Sequence, residues 1–144
     1  MDQRTDIGHL SRFSSSLLEL LDRVEYRRIV SSEDMEAVGR LRAESYARGN
    51  VYSSDIGDSL IDDLDFDSHA YVVGVYIDEE LVSTLRVSHM TPDHRKGTSL
   101  KYFGDVLHPL LDRGMSFIDP SRFAASAALP EEMSGLPYIT LRIA

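Results

Sequence analysis

Three arginines stand where their charge could do chemistry. Arg42 lies on a helix-forming stretch, Arg86 in the middle of a strand-forming run and Arg122 on the next such run. A guanidinium presents a planar fork of N–H donors that matches a carboxylate two bonds at a time. Three of them on separate elements could clamp the carboxylate of a small acid. They could equally lock onto the chain's own carboxylates, Asp65, Asp67 and Asp119, and hold the fold. Asp119 has a further use as a proton acceptor, provided burial raises its pKa, since an aspartate is a weak base near neutrality. Its other reading is an ion pair with Arg122 or Arg86. The basic residues are thirteen Arg and only two Lys, Lys96 and Lys101, a bias that recognition of acids or plain codon usage would each produce.

Other chemistries find little support. The stretch from Asp55 to Asp67 carries six Asp and no basic residue. Asp63, Asp65 and Asp67 have the opening spacing of a calcium-binding loop, but the sixth position is Ser68 and the twelfth Gly74 where that loop needs Gly and Glu. A solvated or substrate-gating loop is the better reading. His9, His69, His89, His94 and His108 have no metal-ligand spacing, although His89 and His94 flank one loop. The serine runs at 14–16 and 31–32 suit caps and linkers, and there is no Gly-x-Ser-x-Gly, Gly-x-Gly-x-x-Gly or phosphate-binding loop. With no cysteine, disulfide and thiolate chemistry are excluded.

The elements that must position these residues can be read from periodicity. Ser14 to Leu21 is expected to be a short helix with Phe13, Leu17, Leu18 and Leu21 on one side, after a loose arm over residues 1–12. Val24 to Val30 favours strand. Ser31 caps a helix that carries Met35, Val38, Leu41, Arg42, Ser45 and Tyr46 at spacings of three and four and ends at Gly49. His69 to Ile77 and Leu81 to His89 form a hairpin around the tight turn Asp78-Glu79-Glu80. Strict alternation along the second strand groups Leu81, Ser83, Leu85 and Val87 against Val82, Thr84, Arg86 and Ser88. Leu100 to Leu111 predicts a helix broken or bent at Pro109, Met115 to Asp119 a strand interrupted by Pro120 and resuming at Arg122, and Pro137 to Ala144 a helix start.

At 144 residues, 42% hydrophobic and 27% charged, the chain has the composition of one ordinary globular domain. A net charge of −9 argues against nucleic acid as a partner. No apolar run reaches the ~20 residues of a membrane span, and no signal-peptide core precedes the first helix. The expectation is a cytoplasmic protein of α/β (α+β) class with a mostly antiparallel sheet.

Four segments in order carry a resemblance: Arg42-Ala43-Glu44-Ser45-Tyr46, Leu64-Asp65-Phe66-Asp67, Leu85-Arg86, and Ile118-Asp119-Pro120-Ser121-Arg122-Phe123, with Phe103 between the last two. This series resembles that of bacterial acyl-homoserine lactone synthases. It is closer still to the N-acyl amino acid synthases of the same GNAT-like acyltransferase fold, which also share the pattern of Leu136-Pro137-Tyr138-Ile139-Thr140-Leu141-Arg142. Residues 24–144 carry it and residues 1–23 form an arm and short helix outside it. The departures are the absence of any Trp, Asp119 where the pattern has Glu, and no clean match near Leu64 for the earlier of two carboxylates. They turn the expected acceptor away from S-adenosylmethionine and toward an amino acid or another amine. The resemblance also implies further C-terminal strands beyond Ala144.

The resemblance implies an N-acyltransferase that joins a fatty acyl group to an amino acid or similar amine. The donor would be a thioester of acyl carrier protein or CoA, a co-substrate, with no cofactor and no metal. It implies catalytic roles for Asp119, Arg122, Phe123 and Ala124, the last two as backbone donors to an oxyanion at a bulge of the fourth strand. It implies acceptor-side roles for Arg42, Tyr46, Asp65, Asp67, Arg86 and Phe103, and donor-side roles for Tyr138, Thr140 and Arg142. An acidic carrier protein would need a local basic patch, for which Arg95, Lys96, Lys101 and Arg142 are candidates. The rival reading is a non-catalytic fragment or binding module that keeps the pattern for folding and forms a homodimer through an exposed fourth strand.

Overall fold

The computed structural model describes residues 11–49, 60–127 and 133–144. The element order is α1 (Arg12–Arg23), β1 (Val24–Arg28), α2 (Ser32–Arg48), a 3-10 turn (Asp63–Phe66), β2 (Ala70–Ile77), β3 (Glu80–Met90), α3 (Thr98–Asp112), β4 (Phe117–Ala125) and α4 (Leu136–Leu141). The four strands form one antiparallel sheet in the order β1-β2-β3-β4. The predicted loop from Asp55 to Asp67 falls partly outside the described residues; its described part contains the 3-10 turn. No helix among the described residues is long and apolar enough to cross a membrane.

The helices cover the two faces of the sheet. On one face α1 and α4 bury Leu20, Leu136 and Ile139 against Val75, Ile77 and Val82. On the other, α2 buries Met35 and Val38 against Ile29, Val72 and Tyr76. Each such side chain removed from water contributes about 1.5–3 kcal/mol. The buried stripe of α2 is Met35, Val38, Leu41 and Arg42, so the helical spacing that packs Val38 on the sheet also carries Arg42 inward one turn later. Ser31 caps the helix by accepting the Asp34 N–H at 3.1 Å. On α1 the core residue is Leu20, flanked by Leu17 and Leu21, while Phe13 and Leu18 are exposed. The expected apolar side was therefore drawn too wide.

The hairpin turns through Asp78 and Glu79 with φ of 50° and 66°, the twist of a two-residue primed turn. Neither residue is Gly or Asn, and the Glu79 carboxylate is held by Arg27 at 2.9 Å across the turn. Strict alternation fails along β3. A register shift pairs Val75 with Ser83 but Tyr76 with Leu81, so Val82 is an extra residue. Leu81 consequently packs on the α2 side, while Val82 joins the α1 and α4 core and Ser83 bonds Thr140 on that same side. Downstream of this bulge the alternation resumes, and Arg86 and Thr84 share the α2 side as expected.

Two expected breaks lie elsewhere. α3 runs through Pro109, and its backbone leaves helical geometry at Phe103, with φ −124° and ψ 23°. β4 begins at Phe117 and continues through Pro120, which is tolerated because β4 is an edge strand. Its irregularity comes after Ser121. Arg86 pairs with Ser121 and Thr84 with Ala124, so Arg122 and Phe123 together oppose Leu85. Arg122 adopts φ 56° in this bulge.

Candidate functional site

The three arginines of α2, β3 and β4 meet over the 3-10 turn. That turn is closed by a capping box. The Asp62 side chain accepts the Leu64 N–H at 3.0 Å, and the Asp65 side chain accepts the Asp62 N–H at 2.9 Å. The i, i+3 relation brings both carboxylates to one side of the turn, and the arginines meet them there. Arg42 donates twice to Asp65, at 2.9 Å to each oxygen, and once to the Leu60 carbonyl at 2.9 Å. Arg86 donates to Asp62 at 2.6 Å, lies 3.3 Å from Asp65, and reaches Ser121 at 3.1 Å and Thr98 at 3.0 Å. Arg122 donates to Asp62 at 2.8 Å.

Arg42, Arg86 and Asp65 are buried, and three guanidiniums face two carboxylates. Charges withdrawn from water this far are held by partners or not at all. Tyr46 lies one turn after Arg42 on α2. Burial pushes its phenol pKa up, against the neighbouring positive charges of Arg42, Arg122 and Arg86.

Several residues stand apart from this centre. Asp119 lies on the same face of the sheet as Arg86 but pairs with neither Arg86 nor Arg122. Its oxygens accept the Ser99 N–H at 2.9 Å and the Ser99 hydroxyl at 2.5 Å, at the first turn of α3. Thr98, one residue earlier, is the partner of Arg86, so the start of α3 connects the aspartate to the arginines. Asp67 also departs from the arginines. It caps the end of the 3-10 turn and meets the His94 ring at 2.7 Å, the Lys96 amine at 3.4 Å and the His69 N–H at 3.0 Å. The His69 and His94 rings stack with centroids 3.8 Å apart. Phe103 is exposed at the break in α3.

Asp62 is the one member of this network that the sequence pattern near Leu64 does not single out. The signal available was the Asp-x-x-Asp spacing of a single 3-10 turn.

The donor-side candidates lie on the opposite face of the sheet. Thr140 is buried, and its hydroxyl bonds Ser83 at 2.6 Å and the Leu136 carbonyl at 2.8 Å. It fastens α4 to the sheet, and the bulge in β3 is what turns Ser83 toward it. Tyr138 is exposed and meets Phe13 edge to face at 5.6 Å. Arg142 borders an open cleft of about 450 Å³ with Tyr26, Val73 and Ile143. Arg95 is tied to Asp112 at 2.6 Å and to the Pro92 carbonyl at 2.9 Å, so much of its charge is already matched within the chain.

The electrostatics set an acid limit to stability. Burial raises the Asp62 pKa, but Arg122 and Arg86 outweigh it and leave the carboxyl below its ordinary value. Burial likewise raises Asp67, and the His94 and His69 contacts bring it below its ordinary value. Both groups bind a proton less readily folded than unfolded. Their contribution is therefore complete above the unfolded carboxylate pKa of about 3.9 and is lost as pH falls through the folded values. The urea midpoint is expected to fall with pH in that acid range, and less steeply in Asp67→Asn. An unchanged slope in that variant would show that the His94 contact adds nothing.

Comparison with known proteins adds to this geometry. A family model for the N-acyl amino acid synthase FeeM matches residues 37–144. Among solved structures, FeeM itself, an N-acyl amino acid synthase from uncultured soil microbes, matches with a TM-score of 0.62 at 14% identity, over 84% of this chain and 63% of that one. This chain thus spans less than two thirds of the length of that enzyme. No curated protein matches it.

Proposed function

From the membership of this chain in the FeeM family of N-acyl amino acid synthases, shown by the match over residues 37–144, we propose that it transfers a fatty acyl group from a thioester to the amine of an amino acid. The observation that carries the reading is the convergence of Arg42, Arg86 and Arg122 beside a bulge of β4. The fold supplied by the match is a GNAT-like antiparallel sheet flanked by helices.

In the proposed reaction the amine nitrogen attacks the thioester carbonyl carbon. A C–N bond forms, the C–S bond breaks, and the proton lost by the amine ends on the departing thiolate. Each step has a group suited to it. Arg122, whose side chain is 17% exposed, and the buried Arg86, which shares Asp62 with it, take the acceptor's carboxylate. Asp119, held by Ser99 rather than by an arginine, receives the amine proton on its way to sulfur. The peptide N–H of Phe123 meets the developing oxyanion, since a bulge releases backbone groups from the ladder. Ala124 is buried and paired with Thr84, which makes it the poorer donor of the two. Ile118 and Phe123 expose apolar surface on β4 along which an acyl tail would lie. An acyl carrier protein is the donor we favour over CoA, docking at the exposed Lys96 and Lys101.

The test is incubation of the purified chain with acyl carrier protein thioesters or acyl-CoA and a panel of amino acids, with N-acyl products read by mass spectrometry. Product with an amino acid and none with the matching amino-acid amide supports the reading. No product with either donor class across the panel refutes it.

A further inference from the structure

The two carboxylates on the arginines are held differently, and the difference carries an inference that rests on the reading of an amino-acid acceptor. Asp65 is sealed in: its side chain is 0% exposed, both oxygens are on Arg42, and the Asp62 N–H is on one of them. The Asp62 side chain is 33% exposed. One of its oxygens accepts from Arg86 at 2.6 Å and the other from Arg122 at 2.8 Å. One oxygen on each of two guanidiniums is also how a free carboxylate would bridge that pair. Asp62 precedes the 3-10 turn as its N-cap, so its side chain can swing to solvent while Asp65 keeps the turn in place. The backbone contact it would give up is the Leu64 N–H.

We propose that Asp62 is an internal stand-in for the acceptor carboxylate. It bridges Arg86 and Arg122 in the free protein, and the incoming amino acid displaces it. Two consequences follow from the chemistry. The site selects for a carboxylate, because a neutral amide cannot replace the bridging charge between two guanidiniums. Its affinity is also held down, because a site occupied by its own side chain binds with an apparent affinity reduced to the fraction of time it stands open.

Calorimetric titration of the whole chain with leucine and with leucinamide tests this. Asp62→Asn removes the charge and keeps an oxygen for the Leu64 N–H. It is expected to tighten leucine binding on the order of tenfold, the gain if Asp62 holds the arginines about nine-tenths of the time. Leucinamide binding should change by less than about twofold, since it does not compete for the bridge. Asp63→Asn is the control for charge alone: Asp63 is exposed on the same turn, and its removal should shift leucine binding by less than about twofold because exposed charges are screened. Asp62→Ser, which retains a capping oxygen, must repeat the Asp62→Asn result, and melting curves establish that each variant is folded.

Unchanged or weaker leucine binding in both Asp62 variants overturns the proposal. So does equal tightening by Asp63→Asn. Wild-type leucine binding and product formation without any gain in the Asp62 variants would end this inference and leave the acyltransferase reading standing. Failure of every form to bind leucine would end this inference, whereas the acyltransferase reading ends only with the absence of product across the amino-acid panel.

Discussion

Asp65→Asn is expected to cost the fold about 3–5 kcal/mol, read as a lower urea midpoint at an unchanged m-value. Arg42 and Asp65 have no exposed side-chain surface, and Arg42 gives Asp65 two hydrogen bonds. The amide would still accept the Asp62 N–H, so the 3-10 turn can close. What it cannot do is neutralise Arg42, and Arg86 at 3.3 Å loses a counter-charge at the same time. The guanidinium of Arg42 would be left charged, dry and unmatched. The double change Arg42→Met with Asp65→Leu should recover part of the loss, because a buried ion pair replaced by apolar groups of similar size is often neutral, while the Asp62 N–H and Arg86 still go without Asp65. The contrast between single and double variants is what identifies a desolvated pair. A single variant within about 1 kcal/mol of the wild type would mean that water reaches the network.

That network shows which parts of the molecule a sequence exposes. Helix α2 was legible because one stripe of Met35, Val38 and Leu41 defines its buried side, and Arg42 follows on the same stripe. The hairpin was legible because β2 is nearly all apolar and its turn is short. Arg86 was placed on the correct face because it lies beyond the Val82 bulge. Leu81, on the near side of the bulge, was misplaced for the same reason. Periodicity carries no information about an inserted residue.

The aspartates divide along similar lines. In a run with six Asp, nothing in composition tells Asp62 from Asp67. A 3-10 turn does, because it pairs residues three apart and sends the next carboxylate toward His94. One of the two readings of Asp119 paired it with Arg122 on its own strand or Arg86 on the neighbouring one. Its actual partner, Ser99, comes from the helix start that packs across the same face, a long-range contact with no local signature. The break at Phe103 was equally hidden, since Pro109 is the residue that ordinarily signals one.

The same geometry weighs on the rival reading of a self-associating module. Pairing through β4 needs a regular edge. This edge carries Pro120, which lacks an N–H, and a bulge at Arg122, which twists the strand; both are devices that blunt edge-to-edge association. The irregularity is thus poorly suited to a dimer seam, and it places a guanidinium on Asp62 and a loosened peptide beside it.

Arg122→Gly separates catalysis from folding at that bulge. A non-glycine residue in the left-handed region is disfavoured by roughly 1–2 kcal/mol, and glycine removes that strain at φ 56°. Against this stands the loss of one partly exposed ion pair to Asp62, with side chains 17% and 33% exposed, which is worth about 1 kcal/mol or less. Stability should therefore stay within about 1 kcal/mol of the wild type, in contrast to the Asp65 variant. Turnover of a thioester with an amino acid should nevertheless fall on the order of 10²-fold, the usual consequence of misplacing a bound reactant or a charge-stabilising donor. Arg122→Lys should recover only part of it, because an ammonium cannot share a carboxylate with Arg86 through a planar fork. A folded Arg122→Gly protein with undiminished turnover would confine the arginine to structure and remove the bulge from the reaction. Loss of stability in step with loss of turnover would show instead that strain at Arg122 is not what the glycine relieves.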